Sequence, residues 1–227
     1  MCGRFTLYTE PKILVKQFAI KEYMDFDPSY NIAPSQAIPV IYELKDYGRK
    51  MALMRWGLVP FWQKEEDITS SLINARVEIV MVKAAFRQAI QKRRCLIITN
   101  GFYEWQHNGK FKQPYFIHMK SGEPFAMAGL WERWSGDNKT IESCSILTTD
   151  AAPLIKSIHH RMPLIVPEDK YDTWLDPALQ KADDIQKIIQ SFCLPELEAY
   201  PVSKKVNSPQ YNQKELLIKV DLLESSS

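Results

Sequence analysis

The stretch from Cys95 to Thr149 constrains the fold most strongly. It is a succession of short apolar or alternating runs, Cys95–Thr99, Tyr115–Met119, Phe125–Leu130 and Ser143–Thr149, separated by Gly, Asn or Asp. Upstream, Ile38, Val40, Tyr42 and Leu44 recur at period two and predict a further strand. Met51–Trp56 is expected to pair with it across the Asp46-Tyr47-Gly48-Arg49 turn. Helical patterns lie outside this region. Thr9 is the expected N-cap of a helix carrying Ile13, Leu14 and Phe18, with Pro11 in its first turn. A second helix, Val82–Gln91, would bury Ala85, Phe86 and Ile90. Pro167 opens another to Leu175, and Ala182–Phe192 puts Ile185, Ile188, Ile189 and Phe192 on one face. There is no βαβ alternation. The expected class is α+β: one mainly antiparallel sheet, curled or closed into a barrel, with peripheral helices.

The 227 residues carry 45% hydrophobic and 25% charged side chains, enough apolar material for a substantial core. One domain is expected over residues 1–222, with 223–227 a disordered, serine-rich tail. Lysine and arginine total 29 against 27 acids, a net charge of +2. That excludes a uniformly basic coat for wrapping duplex DNA but leaves room for a local basic groove. No run approaches the roughly 18 apolar residues of a membrane span, and Met1–Glu10 has no secretory apolar core. Cys2, Cys95, Cys144 and Cys193 form no C-x-x-C pair, so a cytoplasmic, reduced protein without disulfide or zinc is expected. Cys95, Cys144 and Cys193 read as buried packing residues, and His107 and His118 lack ligand-like spacing, so no metal or other cofactor is assigned.

Cys2 stands out by position. Removal of Met1 would leave an N-terminal 1,2-aminothiol, whose α-amine has an ordinary pKa of roughly 7.7–8.0 against about 10.4 for lysine. The pair can capture an aldehyde: the amine forms a Schiff base and the sulfur closes a thiazolidine. Alternatively, the amine can act as base for the thiol, as in N-terminal-nucleophile hydrolases. Four further clusters carry chemistry, though each taken alone is equally a turn, surface or core feature. Asn74-Ala75-Arg76 offers an orienting amide and a phosphate-holding guanidinium. Gly101-Phe102-Tyr103-Glu104-Trp105 sets a carboxylate between aromatics, where its pKa could rise toward general acid–base use. Ile158-His159-His160-Arg161-Met162-Pro163 supplies imidazoles and a guanidinium before a turn. Pro60, Phe61 and Trp62 follow Gly57, and such loop aromatics can stack on unpaired bases. Arg87, Lys92, Arg93, Arg94, Lys204 and Lys205 are candidates for a phosphate groove.

Met1-Cys2-Gly3-Arg4-Phe5, Tyr30-Asn31-Ile32-Ala33-Pro34, Trp56-Gly57-Leu58-Val59-Pro60, Asn74-Ala75-Arg76, Gly101-Phe102-Tyr103-Glu104-Trp105, His159-His160-Arg161-Met162-Pro163 and Pro201-Val202-Ser203 occur in that order. The combination resembles the SRAP family, the SOS-response-associated abasic-site-processing proteins, over nearly the whole chain. The resemblance implies a single-turnover, lyase-type DNA-damage protein. Its Cys2 would attack the open-chain aldehyde of an abasic site in single-stranded DNA and form a stable thiazolidine crosslink that shields the lesion, with latent AP-lyase cleavage and slow reversal. It further implies that Asn74 orients the Cys2 amine or the sugar, that Glu104 moves protons, and that His159 assists transfer and steadies the sugar. Arg4, Arg76 and Arg161 would hold phosphates, and Pro34 and Trp62 would sit where the DNA kinks. The expected partner is single-stranded DNA containing an abasic site, engaged by a monomer that is nucleoid-associated when crosslinked, with no membrane involved. Asn100 stands where Asp is common in the family, and Gln63 where some members have a second tryptophan. The alternative function is a cysteine hydrolase or peptidase that unmasks its own Cys2.

Overall fold

The computed structural model describes residues 2–65, 72–109 and 111–221. The strands are β1 Phe5–Leu7, β2 Ser29–Ile32, β3 Ala37–Leu44, β4 Gly48–Trp56, β5 Asn74–Arg76, β6 Arg94–Thr99, β7 Gly101–Asn108, β8 Phe111–Met119, β9 Phe125–Ser135, β10 Thr140–Asp150, β11 Arg161–Pro163, β12 Ile165–Val166 and β13 Leu197–Pro201. The helices are α1 Pro11–Gln17, α2 Arg87–Lys92, α3 Pro153–Lys156, α4 Tyr171–Leu175 and α5 Ala182–Gln190.

β3 and β4 form the expected hairpin, with Ile41 opposite Met51 and Leu44 opposite Gly48. β3 continues to β6, β6 to β9 and β9 to β10, all antiparallel. The ring closes where β10 runs parallel to β4, Cys144 beside Trp56. The expected barrel is therefore present, closed by a parallel pair. All 6 residues of β6 are buried, because one face fills the barrel and the other lies under α4, where the Trp174 indole donates to the Cys95 carbonyl. The packing is tight enough to require Gly129: a β-carbon there would lie 2.8 Å from Cys95 Sγ. A 5-stranded sheet in the order β13-β8-β7-β1-β2 packs beside the barrel. Its own small core of Tyr103, Phe116, Val202, Val206 and Leu216 is capped by the C-terminal segment.

Some local expectations change. Thr9 does not cap α1: Glu10 precedes the helix, Pro11 leads it, and the Thr9 hydroxyl accepts from the Asn100 amide. The helix expected at Val82–Gln91 begins only at Arg87, and Ala89 is buried in it together with Ile90. Arg94 is not a groove residue. Its buried guanidinium donates to the carbonyls of Ile90, Gln91, Trp174 and Asp176, tying α2 and α4 to the barrel. Arg93 is held by Glu132 at 2.6 Å. Cys95 and Cys144 are buried as expected, but Cys193 is exposed just beyond α5. Among the described residues no helix is long and apolar enough to cross a membrane. The expected tail, 223–227, lies outside them.

Candidate functional site

Strand register brings the chemistry-bearing motifs together. β1 pairs with β7, Phe5 opposite Phe102, so the residues just before β1 run alongside Tyr103 and Glu104. The Tyr103 amide accordingly donates to the Arg4 carbonyl at 2.9 Å. On the other side of β7, Gly101 lets β8 pack close, since a β-carbon there would collide with the Phe116 ring at 2.4 Å. β10 delivers the rest. Three-residue β5 runs parallel to it, Asn74 level with Ile146, and β11 returns antiparallel with Arg161 opposite Asp150.

Cys2 is fully buried at the centre of this convergence. Asn74 Nδ2 donates to the Cys2 carbonyl at 2.8 Å, while the Asn74 amide oxygen is buried with no hydrogen-bond partner among the described residues. Burial, reinforced by the Glu104 charge, pushes the Cys2 thiol well above the ordinary cysteine range. Burial likewise raises the Glu104 carboxyl above the usual glutamate value. His159 Nδ1 lies 4.0 Å from Glu104 Oε1. The same nitrogen sits 3.0 Å from the Arg161 backbone amide, and burial depresses the imidazole pKa. The arrangement therefore sets a carboxyl that holds its proton more tightly than usual and an imidazole that releases its proton more readily than usual beside a sulfur that needs a proton acceptor.

A cavity of about 380 Å³ opens above these groups, lined by Arg4, Glu104, Trp105, His107, Lys112, His159 and Asn207. Arg4 lies at its edge with Nη1 engaged by the Asn31 amide oxygen and the Val206 carbonyl. Arg76 is exposed at the end of β5. Arg161 is buried, its terminal N–H groups facing Glu78, Asp150 and the Thr148 carbonyl. Pro34 is half-buried in the turn after β2, and neither it nor Trp62 lines the cavity. Trp62, 53% exposed, forms a separate groove of about 310 Å³ with Phe61, Met81, Arg87 and Gln88.

The sequence reading named Asn31 within a motif but gave it no role; its side chain also donates to the carbonyls of Ser208 and Tyr211 and so fastens the C-terminal segment beside Arg4. The same reading missed the cavity wall of His107, Lys112 and Asn207. A readable signal was the hairpin register, which sets His107 opposite Lys112 two residues beyond Trp105. Among the described residues no group of three or more His, Cys, Asp or Glu is placed to hold a metal ion.

The barrel, the accompanying sheet and a cleft that gathers a buried second-position cysteine, an asparagine, a buried glutamate and a histidine define the class of protein to compare. Residues 1–209 match the model of the family described as SOS response associated peptidase (SRAP), and the chain belongs to that family. It is 39% identical over 222 residues to the abasic site processing protein YoqW of Bacillus subtilis, covering 96% of this chain and 99% of that one. It is 31% identical over 229 residues to the abasic site processing protein HMCES of Gallus gallus, covering 87% of this chain and 68% of the relative. Among solved structures, a Bacteroides thetaiotaomicron protein superposes with a TM-score of 0.86 at 28% identity, covering 96% of this chain and all of its own. A phage-related protein from Bordetella bronchiseptica gives 0.73 at 27% identity, over 89% and 95% of the two chains.

Proposed function

We propose that this protein processes abasic sites in single-stranded DNA by covalent capture through Cys2. The observation that carries the reading is the Asn74–Cys2 hydrogen bond beside Glu104 and His159: it fixes the backbone of the residue whose amine would react, next to groups suited to move its protons. The names of the relatives supply the substrate class.

With Met1 removed, the Cys2 amine adds to the C1′ aldehyde of the open-chain sugar. The protonated Glu104 carboxyl delivers a proton to the departing hydroxyl, which leaves as water, and an imine results. The buried thiol is a poor nucleophile until it loses its proton, so the amine reacts first. The Cys2 sulfur then bonds to the imine carbon, the C=N π electrons move to nitrogen, and the thiol proton ends there by way of His159 or Glu104. The product is a thiazolidine, formed with net loss of one water. Ring closure removes the iminium that would otherwise activate the strand for β-elimination, so the DNA stays intact; lyase cleavage is the side reaction of the open imine. Reprotonation of the ring by Glu104 permits slow reversal. Arg4 and Arg76 border the reacting sugar, and one lesion needs only one Cys2, so the protein acts as a monomer.

The test is incubation with a single-stranded oligonucleotide carrying one abasic site, followed by denaturing electrophoresis. A denaturation-stable adduct is expected, and an added residue before Cys2 should abolish it. No adduct from correctly processed protein contradicts the proposal.

A further inference from the structure

The chemistry at Cys2 leaves two cavity residues without a task. His107 and Lys112 face each other across the β7–β8 hairpin and are both exposed. They lie at the outer side of a cavity whose inner wall holds Glu104, only 2% exposed, and His159. Trp105 lines the same cavity, its indole N–H fixed to the Asn207 side-chain oxygen at 2.8 Å. The Lys112 ammonium has no hydrogen-bond or ion-pair partner among the described residues. Glu104 is the one carboxylate among the cavity-lining residues, against the cationic Arg4 and Lys112.

Any internal nucleotide carries a phosphodiester on each side of its sugar. If the abasic sugar lies over Cys2, one phosphate must leave toward the barrel, where Arg76 is exposed at the end of β5. The other can leave across the second sheet, through the cavity that Glu104 and His159 line together with His107 and Lys112. We propose that His107 and Lys112 form a second phosphodiester subsite, binding the phosphate on the side of the lesion away from Arg76. Lys112 supplies the charge and His107 a ring N–H donor, with the fixed Trp105 indole as the wall that keeps the backbone in line. The inference rests on the abasic-site reading of the cleft and deepens it by giving the strand a path.

The test uses noncovalent binding, so it stands apart from whether Cys2 crosslinks. Fluorescence anisotropy is followed for single-stranded oligonucleotides carrying an unreactive tetrahydrofuran abasic analogue: one with nucleotides on both sides, one ending at its 5′ side without that phosphate, and one ending at its 3′ side likewise. The protein with both His107→Ala and Lys112→Ala should bind the uninterrupted oligonucleotide about fivefold more weakly at low salt, the size of one exposed ion pair. The slope of log K against log salt should flatten by about 0.7. The loss should vanish with one truncated oligonucleotide and persist with the other, and Lys112→Arg should bind as wild type. Equal affinity and slope in variant and wild type, or the same loss with all three oligonucleotides, overturns the subsite. Loss of the covalent band in wild-type protein, by contrast, overturns the crosslinking reading and leaves this result to be read separately.

Discussion

The Arg161 guanidinium and the Glu78 carboxylate form a two-point ion pair, Nη1 to Oε1 at 2.7 Å and Nη2 to Oε2 at 3.0 Å. Asp150 and the Thr148 carbonyl take the other terminal N–H groups, so Arg161 fastens β11 to β10 and to the turn after β5. Its backbone amide meets His159 Nδ1, so the same residue sets the imidazole's position. A phosphate can engage these donors only by displacing a carboxylate. Arg161→Ala leaves buried acceptors unmet and is expected to cost about 1–3 kcal/mol, which for a domain of this size is a melting-temperature loss of about 2–12 °C. Glu78→Gln keeps one hydrogen bond and should lose less. Thermal unfolding of both variants checks the order; equal, unchanged melting temperatures would remove Arg161 from this role.

Glu104 makes stability depend on pH in a defined direction. Its folded-state pKa is raised by burial, so the folded protein holds that proton more tightly than the unfolded chain. Stability is therefore lost as pH rises from the ordinary glutamate value, about 4.3, through the elevated folded-state value, and the deficit is constant above it. Glu104→Gln removes the deficit. The variant should melt a few degrees higher than wild type at pH 7.5 and at the same temperature near pH 4. A destabilised variant at neutral pH would show that the carboxylate is held by more favourable contacts than its burial.

The depressed pKa of His159 gives the complementary limb. For an imidazole held below its ordinary value of about 6.5, the neutral form persists to lower pH than in the unfolded chain. Crosslinking should fall below about pH 8 as the Cys2 amine protonates, and protonation of His159 should add a further, steeper fall only below the ordinary imidazole range. A profile below about pH 6.5 with the same shape in wild type and His159→Gln would contradict a neutral His159 as proton acceptor. His159→Gln should flatten this limb while lowering the rate at least tenfold, within the usual contribution of a positioned acid–base group.

Cys2→Ser separates the amine from the sulfur. The amine remains, so the imine and some strand cleavage should remain, whereas the stable adduct should disappear. Denaturing gels read both products from one reaction. A stable adduct equal to wild type would sink the ring-closure step.

Much of the strand pattern was legible because one-sided burial imposes period two, as at Ile38–Leu44, and the turn at Asp46–Gly48 marks its own hairpin. The barrel's closure was legible only in kind. The parallel contact of β10 with β4 joins segments some ninety residues apart and leaves no local trace. β5 has 3 residues, too few for any periodicity, so Asn74 was readable as chemistry but not as strand. The residue types of the cleft were legible for the same reason: an aminothiol, a carboxylate and an imidazole carry their chemistry with them. What a guanidinium faces is decided by tertiary structure, and Arg94, Arg161 and Arg4 are indistinguishable in sequence though each meets different oxygens. Cys193 misled because its apolar neighbours lie on the last turn of α5 and the segment after it, where the backbone turns outward.

The central claim is that the Cys2 amine and thiol together capture the aldehyde of an abasic site. The most direct measurement is intact-mass and peptide mass spectrometry of the product formed with an abasic single-stranded oligonucleotide. The account predicts a species equal to the protein lacking Met1 plus the oligonucleotide minus one water, with the DNA attached at Cys2 and no free thiol there. No adduct, or one attached elsewhere with the Cys2 thiol still alkylatable, would contradict it.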